Sequence, residues 1–300
     1  MRFRVLALSA FLPLLSVHCF ADLPLTVEDL LTKANQFRLS LDLGYANVDS
    51  HNLDTHFDLV QTGANKFVIL PVAISEQRQN RDRLSLTLGG RYGLNSKTEL
   101  HSHLTAIANS NRIHTNNESS SFHSQQLSQL MVGINHQFSE DNDSPALLGF
   151  TEVALAENTA FDDTEYQYFK TGQVGFTTYR SIDPVVLSFS TGYRHSWRRA
   201  NGVNQVDPGD LLFLNPSIGF AVNNEVTLTG GVQFKFRGKD NINGNKVGIR
   251  TSQTDLELGL GYASSNQLTF NLNIRNDISG DAGAQVNIRL LYKIKSFTKQ

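Results

Sequence analysis

The chain of 300 residues contains only one cysteine, Cys19, and only one tryptophan. A single cysteine cannot form a disulfide within the chain, so an exported protein of this composition depends on hydrogen bonds and packing. Beyond the N-terminal segment no run of 18 apolar residues occurs, which excludes a transmembrane helix on length. The 26 Lys and Arg residues nearly balance the 28 Asp and Glu residues, so neither sign of charge dominates and no basic stripe indicates nucleic acid.

The first 21 residues have the features of a secretory signal peptide. Arg2 and Arg4 precede an apolar run from Val5 to Leu15, and Ala21 is a small residue at a suitable cleavage position. Cys19 follows a histidine, whereas a lipoprotein site needs small residues before its acylated cysteine, so ordinary cleavage is expected. The mature chain would then lack cysteine, and because two arginines leave with the segment its formal net charge would move from −2 to −4.

Several segments of the remaining chain alternate apolar and polar residues with a period of two. In the segment 268–275, Leu, Phe, Leu and Ile alternate with Thr, Asn, Asn and Arg, and the pattern recurs over 226–237 and 285–293. Side chains on a strand point alternately to opposite faces, so each segment needs an apolar phase on one side and water on the other. A soluble sandwich could supply both phases, but the turn lengths and aromatic positions favour a membrane barrel.

The alternation and the turn signals predict twelve strands with connections of alternating length. The predicted strands lie near residues 36–47, 80–94, 98–109, 124–138, 146–157, 167–180, 185–198, 211–222, 225–237, 250–263, 266–277 and 284–295. Short turns such as Ser-Ile-Asp-Pro alternate with mostly longer polar connections such as 48–79. This pattern predicts an all-β fold, a transmembrane antiparallel up-and-down β-barrel with both termini in the periplasm.

Aromatic residues close each strand that runs toward the short turns. They are Tyr92, Phe138, Tyr179, Phe220, Tyr262 and Tyr292. Aromatic side chains collect at the level of the lipid headgroups, so this set predicts a periplasmic girdle. Tyr179 has the wrong parity for the lipid-facing side unless a bulge intervenes.

Two further segments have local signals of their own. Thr26 and Asp29 form a capping box that predicts a short helix at about residues 27–33. The predicted organisation is therefore a signal peptide (1–21), a short periplasmic helix or plug segment (22–35) and an outer-membrane β-barrel (36–300). In the first long loop, two apolar runs flank Thr-Gly-Ala-Asn, which predicts a hairpin near residues 56–74 that extends above the membrane or folds over the pore mouth.

The polar positions of the predicted strands define the candidate pore lining. The charged and histidine members are Arg38, Asp42, Arg83, Arg91, His101, His103, Glu152, Arg194, Arg198, Lys235, Arg237, Asp255, Glu257, Arg275 and Arg289. Basic residues outnumber acidic ones in this set, which would favour anionic or polar solutes in an open pore. Alternatively, the charges pair across the lumen and fill it. Twelve strands lie between the filled eight-stranded and the open sixteen-stranded barrels, so both alternatives remain.

No motif predicts catalysis or a bound cofactor. His101 and His103 share one face of a strand, but two imidazoles do not make a zinc site. His195 lies on the outward face beside Trp197 and is the centre of one alternative, a lipid-active enzyme. No serine and no orienting group are placed beside it, so a catalytic triad is not predicted.

Three segments carry a resemblance to a known family. They are Leu-Pro-Leu-Thr-Val-Glu-Asp-Leu-Leu at 23–31, Phe-Arg-Leu-Ser-Leu-Asp-Leu-Gly-Tyr-Ala at 37–46, and Val-Gln-Thr-Gly followed by Phe-Val-Ile-Leu-Pro at 60–71. The chain resembles the outer-membrane transporter-like barrels named after the meta-pathway of phenol degradation. It is also distantly similar to the twelve-stranded pore that exports functional amyloid, although it lacks a coiled-coil plug domain before the barrel. The resemblance implies a barrel with a transport-like role and names no substrate.

The leading functional hypothesis is an outer-membrane channel or transport component of a Gram-negative bacterium for small polar or anionic solutes. Outer-membrane lipid and the solute are the expected partners, an oligomer is possible, and no enzyme activity, cofactor or metal is predicted. The first alternative is a structural or adhesive barrel whose outer hairpin binds a partner. The lipid-active enzyme centred on His195 is the second.

Overall fold

A computed structural model describes residues 31–50, 57–71, 78–114, 119–158, 165–201, 204–279 and 283–294. The predicted signal peptide and most of the predicted segment 22–35 lie outside these residues. Among the residues described, no helix is long and apolar enough to cross a membrane.

The described chain is built of β-strands. In chain order they are β1 (Phe37–Ser50), β2 (Phe57–Gly63), β3 (Lys66–Pro71), β4 (Arg78–Gly93), β5 (Thr98–His114), β6 (Ser119–Ser139), β7 (Ala146–Asn158), β8 (Tyr166–Gln167), β9 (Thr171–Ile182), β10 (Val185–Ser196), β11 (Arg199–Asn201), β12 (Asn204–Asp207), β13 (Leu211–Ala221), β14 (Val226–Arg237), β15 (Asp240–Ile242), β16 (Asn245–Val247), β17 (Thr251–Ala263), β18 (Leu268–Asp277) and β19 (Gly283–Ile294). Twelve of them, β1, β4, β5, β6, β7, β9, β10, β13, β14, β17, β18 and β19, pair antiparallel in that order, and β19 pairs with β1 to close the sheet. The predicted twelve-stranded up-and-down barrel is confirmed.

The distribution of polar and apolar side chains is inverted relative to a soluble domain. Leu258 on the outer face is 56% exposed, whereas its neighbour Asp255 on the inner face is 1% exposed. The same contrast separates Leu43 from Asp42 on β1. An apolar outer wall around a polar interior is stable only if the wall faces lipid, because water would otherwise contact a continuous apolar belt. The protein is therefore an outer-membrane β-barrel.

The aromatic girdle is present with one member fewer than predicted. Tyr92, Phe138, Phe220, Tyr262 and Tyr292 are all exposed on the outer wall at the short-turn end. Tyr179 is not among them, because β9 pairs with β10 without a bulge and places Tyr179 opposite Ser188. Its parity is opposite to that of the exposed Val174 and Phe176, so its side chain belongs to the inner face.

The loop hairpin β2–β3 lies inside the barrel, so its predicted location was wrong. Val60, Phe67, Val68 and Leu70 are each at most 5% exposed. Val60, Val68 and Leu70 form one cluster with Ile107 of β5, while Phe67 on the other face packs against β13. The physical reason is that both faces of β3 are apolar: the run Phe67-Val-Ile-Leu has no polar face to leave in water. That unbroken run was the signal in the sequence for a strand buried on both sides.

Two smaller elements lie at the ends of the barrel. On the long-loop side, β11, β12, β15 and β16 form a separate sheet whose Val206 packs against Ile69 of the hairpin. At the short-turn end, the buried Thr32 donates its backbone N–H to Glu99 at 2.7 Å, and Ala34 bridges Gly93. Most of the predicted helix at 27–33 falls outside the described residues, and the described part from residue 31 is not helical.

Candidate functional site

The hairpin divides the lumen into two cavities. The lower cavity, toward the short turns, has a volume of about 330 Å³ and contacts the hairpin tip from Gly63 to Lys66. The upper cavity, toward the long loops, has a volume of about 640 Å³ and contacts Asp58 to Gln61 of β2. Arg275 of β18 lines both cavities. Arg275 therefore lies between the two spaces, on the wall that contains β18.

Most residues of the predicted pore lining lie on the inner face of the barrel. The lower cavity is lined by Asp42, Arg91, His101, His103, Glu152 and Arg289, and the upper cavity by Arg83, Lys235, Arg237 and Asp255. Arg38, Arg194 and Glu257 are buried inside. Arg198 is different: β10 ends at Ser196, two residues earlier than predicted, so Arg198 lies in the following connection and is exposed. Whether these side chains line a conducting path stays a prediction.

An ion-pair cluster fixes the upper part of the hairpin. Asp58 accepts from Arg81 at 3.1 Å and from Arg83, both on the adjacent wall strand β4. Asp58 belongs to the loop hairpin and not to a spanning strand. Burial by itself would raise the pKa of its carboxyl, but Arg83, Arg81 and the nearby Arg237 outweigh burial and lower the pKa to about 2. Asp58 is therefore an anion held among three guanidinium groups.

A second ion-pair cluster fixes the hairpin tip. The ammonium group of Lys66 lies 3.3 Å from Asp42 on β1, and the same carboxylate accepts from Arg289 on β19. The tip also needs a close approach, because a Cβ atom at Gly63 would lie 2.9 Å from an Arg289 nitrogen. Across the lower cavity, His101 and Glu152 are 2.8 Å apart. The tip is thus tied to the wall where the barrel closes.

Three glutamine side chains from the wall satisfy the open edges of the hairpin. Gln129 on β6 donates to the Phe67 carbonyl at 3.0 Å, and Gln173 on β9 donates to the Asn65 carbonyl at 3.0 Å. Gln285 on β19 donates to the carbonyl of Gln61. A two-stranded hairpin leaves backbone groups without a strand partner, and buried backbone groups need one. The wall supplies these partners from side chains rather than from strands.

Both cavities have an excess of basic side chains. Six basic and three acidic residues line the upper cavity, and four basic and two acidic residues line the lower cavity together with two histidines. Some charges pair within the wall, such as Lys235 with Asp255 at 2.7 Å and Arg275 with Glu257. The lumen therefore combines paired charges, an inserted hairpin and residual space lined by more basic than acidic side chains.

Sequence reasoning missed Asp58, Lys66 and Arg81. Arg81 lies two residues before the predicted Arg83 on β4, so its side chain is on the same face of the strand. The alternation of the strand would therefore have included it. Asp58 and Lys66 were missed because the hairpin was placed outside the barrel.

His195 has an acidic and an aromatic partner in the structure. Its Nδ1 atom lies 2.8 Å from Asp210, and its ring meets Trp197 edge-on at 4.9 Å. Asp210 also accepts from the Tyr193 hydroxyl. Among the described residues no serine hydroxyl pairs with His195, and no group of three or more His, Cys, Asp or Glu residues is arranged to hold a metal ion. The cluster fits an anchor at the membrane interface.

Comparisons with known proteins give similarity in fold. No family model and no curated protein matches the sequence. The COG4313 outer membrane channel from Pseudomonas putida F1 superimposes with a TM-score of 0.63 at 10% identity, covering 89% of this chain and 98% of that one. The translocator domain of the autotransporter NalP from Neisseria meningitidis gives a TM-score of 0.51 at 10% identity, covering 86% and 88%.

The transport unit of the autotransporter AIDA-I from Escherichia coli gives a TM-score of 0.50, also at 10% identity, covering 89% of this chain and 93% of that one. These likenesses show the fold alone. They do not confirm the more specific resemblance to barrels of the phenol meta-pathway type or to the amyloid-export pore.

Proposed function

We propose that the protein is an outer-membrane channel for small anionic solutes, with the hairpin β2–β3 as its constriction. The observation that supports this most directly is the pair of cavities, one on each side of the hairpin, with Arg275 lining both. The barrel shares its fold with a protein described as an outer membrane channel. A lumen with two water-accessible compartments suits the passage of a solute better than it suits the other functions of this fold.

The sign of charge in the lumen supports an anionic solute. Both cavities have more basic than acidic side chains, and an excess of fixed positive charge raises the local concentration of anions. Arg275 lines both cavities, and Glu257 on the adjacent strand β17 holds its guanidinium. An anion passing from one cavity to the other would contact this group.

The contacts of the hairpin differ between its two sides. Toward β5 and β13 it packs through apolar side chains, with Val68 against Ile107 and the rings of Phe67 and Phe213 5.2 Å apart. Toward β19 its described contacts are polar, such as Gln285 on the Gln61 carbonyl. Water and solute can replace polar contacts at small cost, whereas exposing apolar ones costs more. The side of the hairpin that faces β19 is therefore the side that opens more easily.

Planar-bilayer conductance tests this function. Replacing residues 57–71 with a short Gly/Ser linker should raise the single-channel conductance, because the hairpin occupies the lumen while the wall strands pair without it. The reversal potential in a KCl gradient should show anion preference in both proteins. No conductance from the hairpin-deleted barrel, or cation preference in it, would contradict the proposal.

A matched pair of variants isolates the role of charge in the cavity. Arg250 lines the upper cavity, while Lys239 lies in the same connection between β14 and β17 and is exposed. Arg250→Glu should reduce anion preference, and Lys239→Glu, with the same change in net charge, should leave it near the parent value. Equal effects of both variants would show that selectivity follows the net charge of the loops rather than the cavity.

The alternative function, an outer hairpin that binds a partner, lacks the exposed hairpin surface that it would need. Both faces of β2–β3 are buried against the barrel and the small outer sheet.

A further inference from the structure

Asp58 occupies a position that a solute carboxylate could take. We propose that Arg81, Arg83 and Arg237 form a carboxylate-binding site for the transported anion, and that in the closed channel Asp58 of the hairpin fills this site as a tethered substitute. A solute with several carboxylates displaces Asp58 and so releases the hairpin. This inference rests on the proposed function and specifies its ligand and its opening step.

The geometry of the site comes from two different walls of the barrel. Arg81 and Arg83 are two residues apart on β4, so both point inward, and Asp58 lies 3.1 Å from Arg81 and in contact with Arg83. Arg237 on β14 lines the same cavity as Asp58 and is itself fixed by Asp240 at 2.7 Å. Guanidinium groups are rigid, planar and always charged, which suits them to carboxylate recognition.

The site is accessible from the upper cavity. The side chain of Asp58 is 26% exposed, whereas those of Arg81 and Arg83 are each 6% exposed. All of these groups line the cavity of about 640 Å³, which lies on the long-loop side of the hairpin. A small anion entering from that side therefore reaches the guanidinium groups beside Asp58, with room for several carboxylates.

Displacement couples ligand binding to the hairpin. Asp58 is part of β2, and the guanidinium groups that hold it are part of the wall, so an anion that takes these groups removes the ionic contact between β2 and β4. By linkage, a ligand that binds better when the hairpin is detached shifts the population toward the detached state. The Lys66 contact at the tip remains, so the released hairpin stays within the barrel while its apolar face separates more often from Ile107.

The competition predicts the class of ligand. A tethered carboxylate acts at an effective concentration of about millimolar or above, so a free monocarboxylate at similar concentration competes poorly. A small di- or tricarboxylate can engage more than one guanidinium at once and overcomes this advantage. Citrate is therefore a suitable probe and acetate its matched control.

Cysteine labelling measures the release directly. Val68 is 2% exposed on the hairpin face packed against Ile107, and the only natural cysteine lies at position 19, before residue 22. In a chain starting at residue 22 and carrying Val68→Cys, reconstituted in liposomes, citrate should accelerate labelling by a membrane-impermeant maleimide about tenfold. Acetate at equal ionic strength should not.

Variants at Asp58 decide between this mechanism and a general effect of anions. Asp58→Asn should label rapidly with or without citrate, and Asp58→Glu, which keeps the carboxylate, should restore slow, citrate-dependent labelling. Asp82→Asn is the matched control, because Asp82 lies between the same two arginines but on the opposite face of β4. It should behave like the parent.

The inference fails if Asp58→Asn labels as slowly as the parent and still responds to citrate. It also fails if acetate equals citrate. Either result leaves the channel proposal standing if the hairpin-deleted barrel conducts anions. Heat-dependent mobility in SDS gels verifies that each variant is a folded barrel.

Discussion

Asp58 and Lys66 attach the two ends of one hairpin to the barrel wall through ion pairs of opposite polarity. Asp58 binds arginines of β4 near the long loops, and Lys66 binds Asp42 of β1 near the middle of the barrel. Exposed ion pairs contribute little to stability, but these pairs lie in a confined lumen where each charge needs a partner. At the residue scale, the hairpin is therefore positioned by charge as well as by shape.

The lowered pKa of Asp58 predicts how acid affects the channel. The carboxyl has a pKa of about 2 in the hairpin-docked state against an ordinary value of 3.8, so its contribution to docking is fully present above about pH 4 and is lost as pH falls through 2. Conductance should stay constant between pH 7 and pH 5 and rise below pH 4. The conductance of Asp58→Asn should rise less below pH 4, because this variant has no carboxyl to protonate at position 58. Identical curves of conductance against pH in the two proteins would contradict this prediction.

Strand parity accounts for which lumen residues were predictable. Arg83, Arg237 and Asp255 follow from alternation alone, because a strand between lipid and water allows one face only for charge. The prediction that Arg198 belongs to a strand was wrong, because the loop that follows determines where a strand ends. The alternation of side chains does not show where strand pairing stops. Asp58 and Lys66 were not predictable by parity, because a hairpin inside the lumen is surrounded on both faces by protein.

Among the elements, β2–β3 departs most from expectation. Its turn and its two apolar runs predicted a hairpin, and the hairpin is present. Its place was misjudged because loops usually extend into water, whereas this one has four consecutive apolar residues, which only a protein interior can cover. The burial of β3 thus depends on partners from β5 and β13, which are distant in sequence and invisible to local pattern.

Removing the main apolar contact should weaken docking of this element. Phe67 is 1% exposed and packs against Phe213, so Phe67→Ala should cost about 3 kcal/mol of hairpin docking. That loss corresponds to about a hundredfold increase in the ratio of open to closed channels in bilayer recordings. Phe122→Ala, at an outer position that is 56% exposed, is the control and should leave this ratio unchanged. Equal open probabilities for Phe67→Ala and the parent would show that the hairpin does not limit conduction.

At the scale of the whole molecule, the fold was predictable because the bilayer imposes few solutions. A chain without a long apolar run can cross lipid only as a closed sheet, in which every backbone group is paired. Strand count and alternating turn lengths then determine an up-and-down barrel. The aromatic girdle also follows from the bilayer, because aromatic side chains on the outer face lie at the headgroup level. Tyr179 is the exception, since its position in the alternation of β9 places it on the inner face although it is aromatic.

The depth dependence of the lipid phase gives a test of this arrangement. Leu258 lies midway along β17 on the outer face, and Val222 lies at the short-turn end. Leu258→Arg should lower the free energy of unfolding by about 2 to 4 kcal/mol, whereas Val222→Arg should change it by about 0 to 1 kcal/mol. Denaturant-induced unfolding in lipid vesicles measures both. A larger loss for Val222→Arg would place the membrane differently along the strands.

The position of the hairpin in the chain constrains how the barrel is assembled. β2 and β3 lie between β1 and β4, while the seam that closes the sheet joins β1 to β19. The hairpin can therefore pack against the other strands before the last strand docks. The strands it contacts through apolar groups precede β19 in the chain, and β19 offers it hydrogen-bonding groups that water satisfies until closure. The order of the sequence thus lets a half-open barrel fold around its own contents.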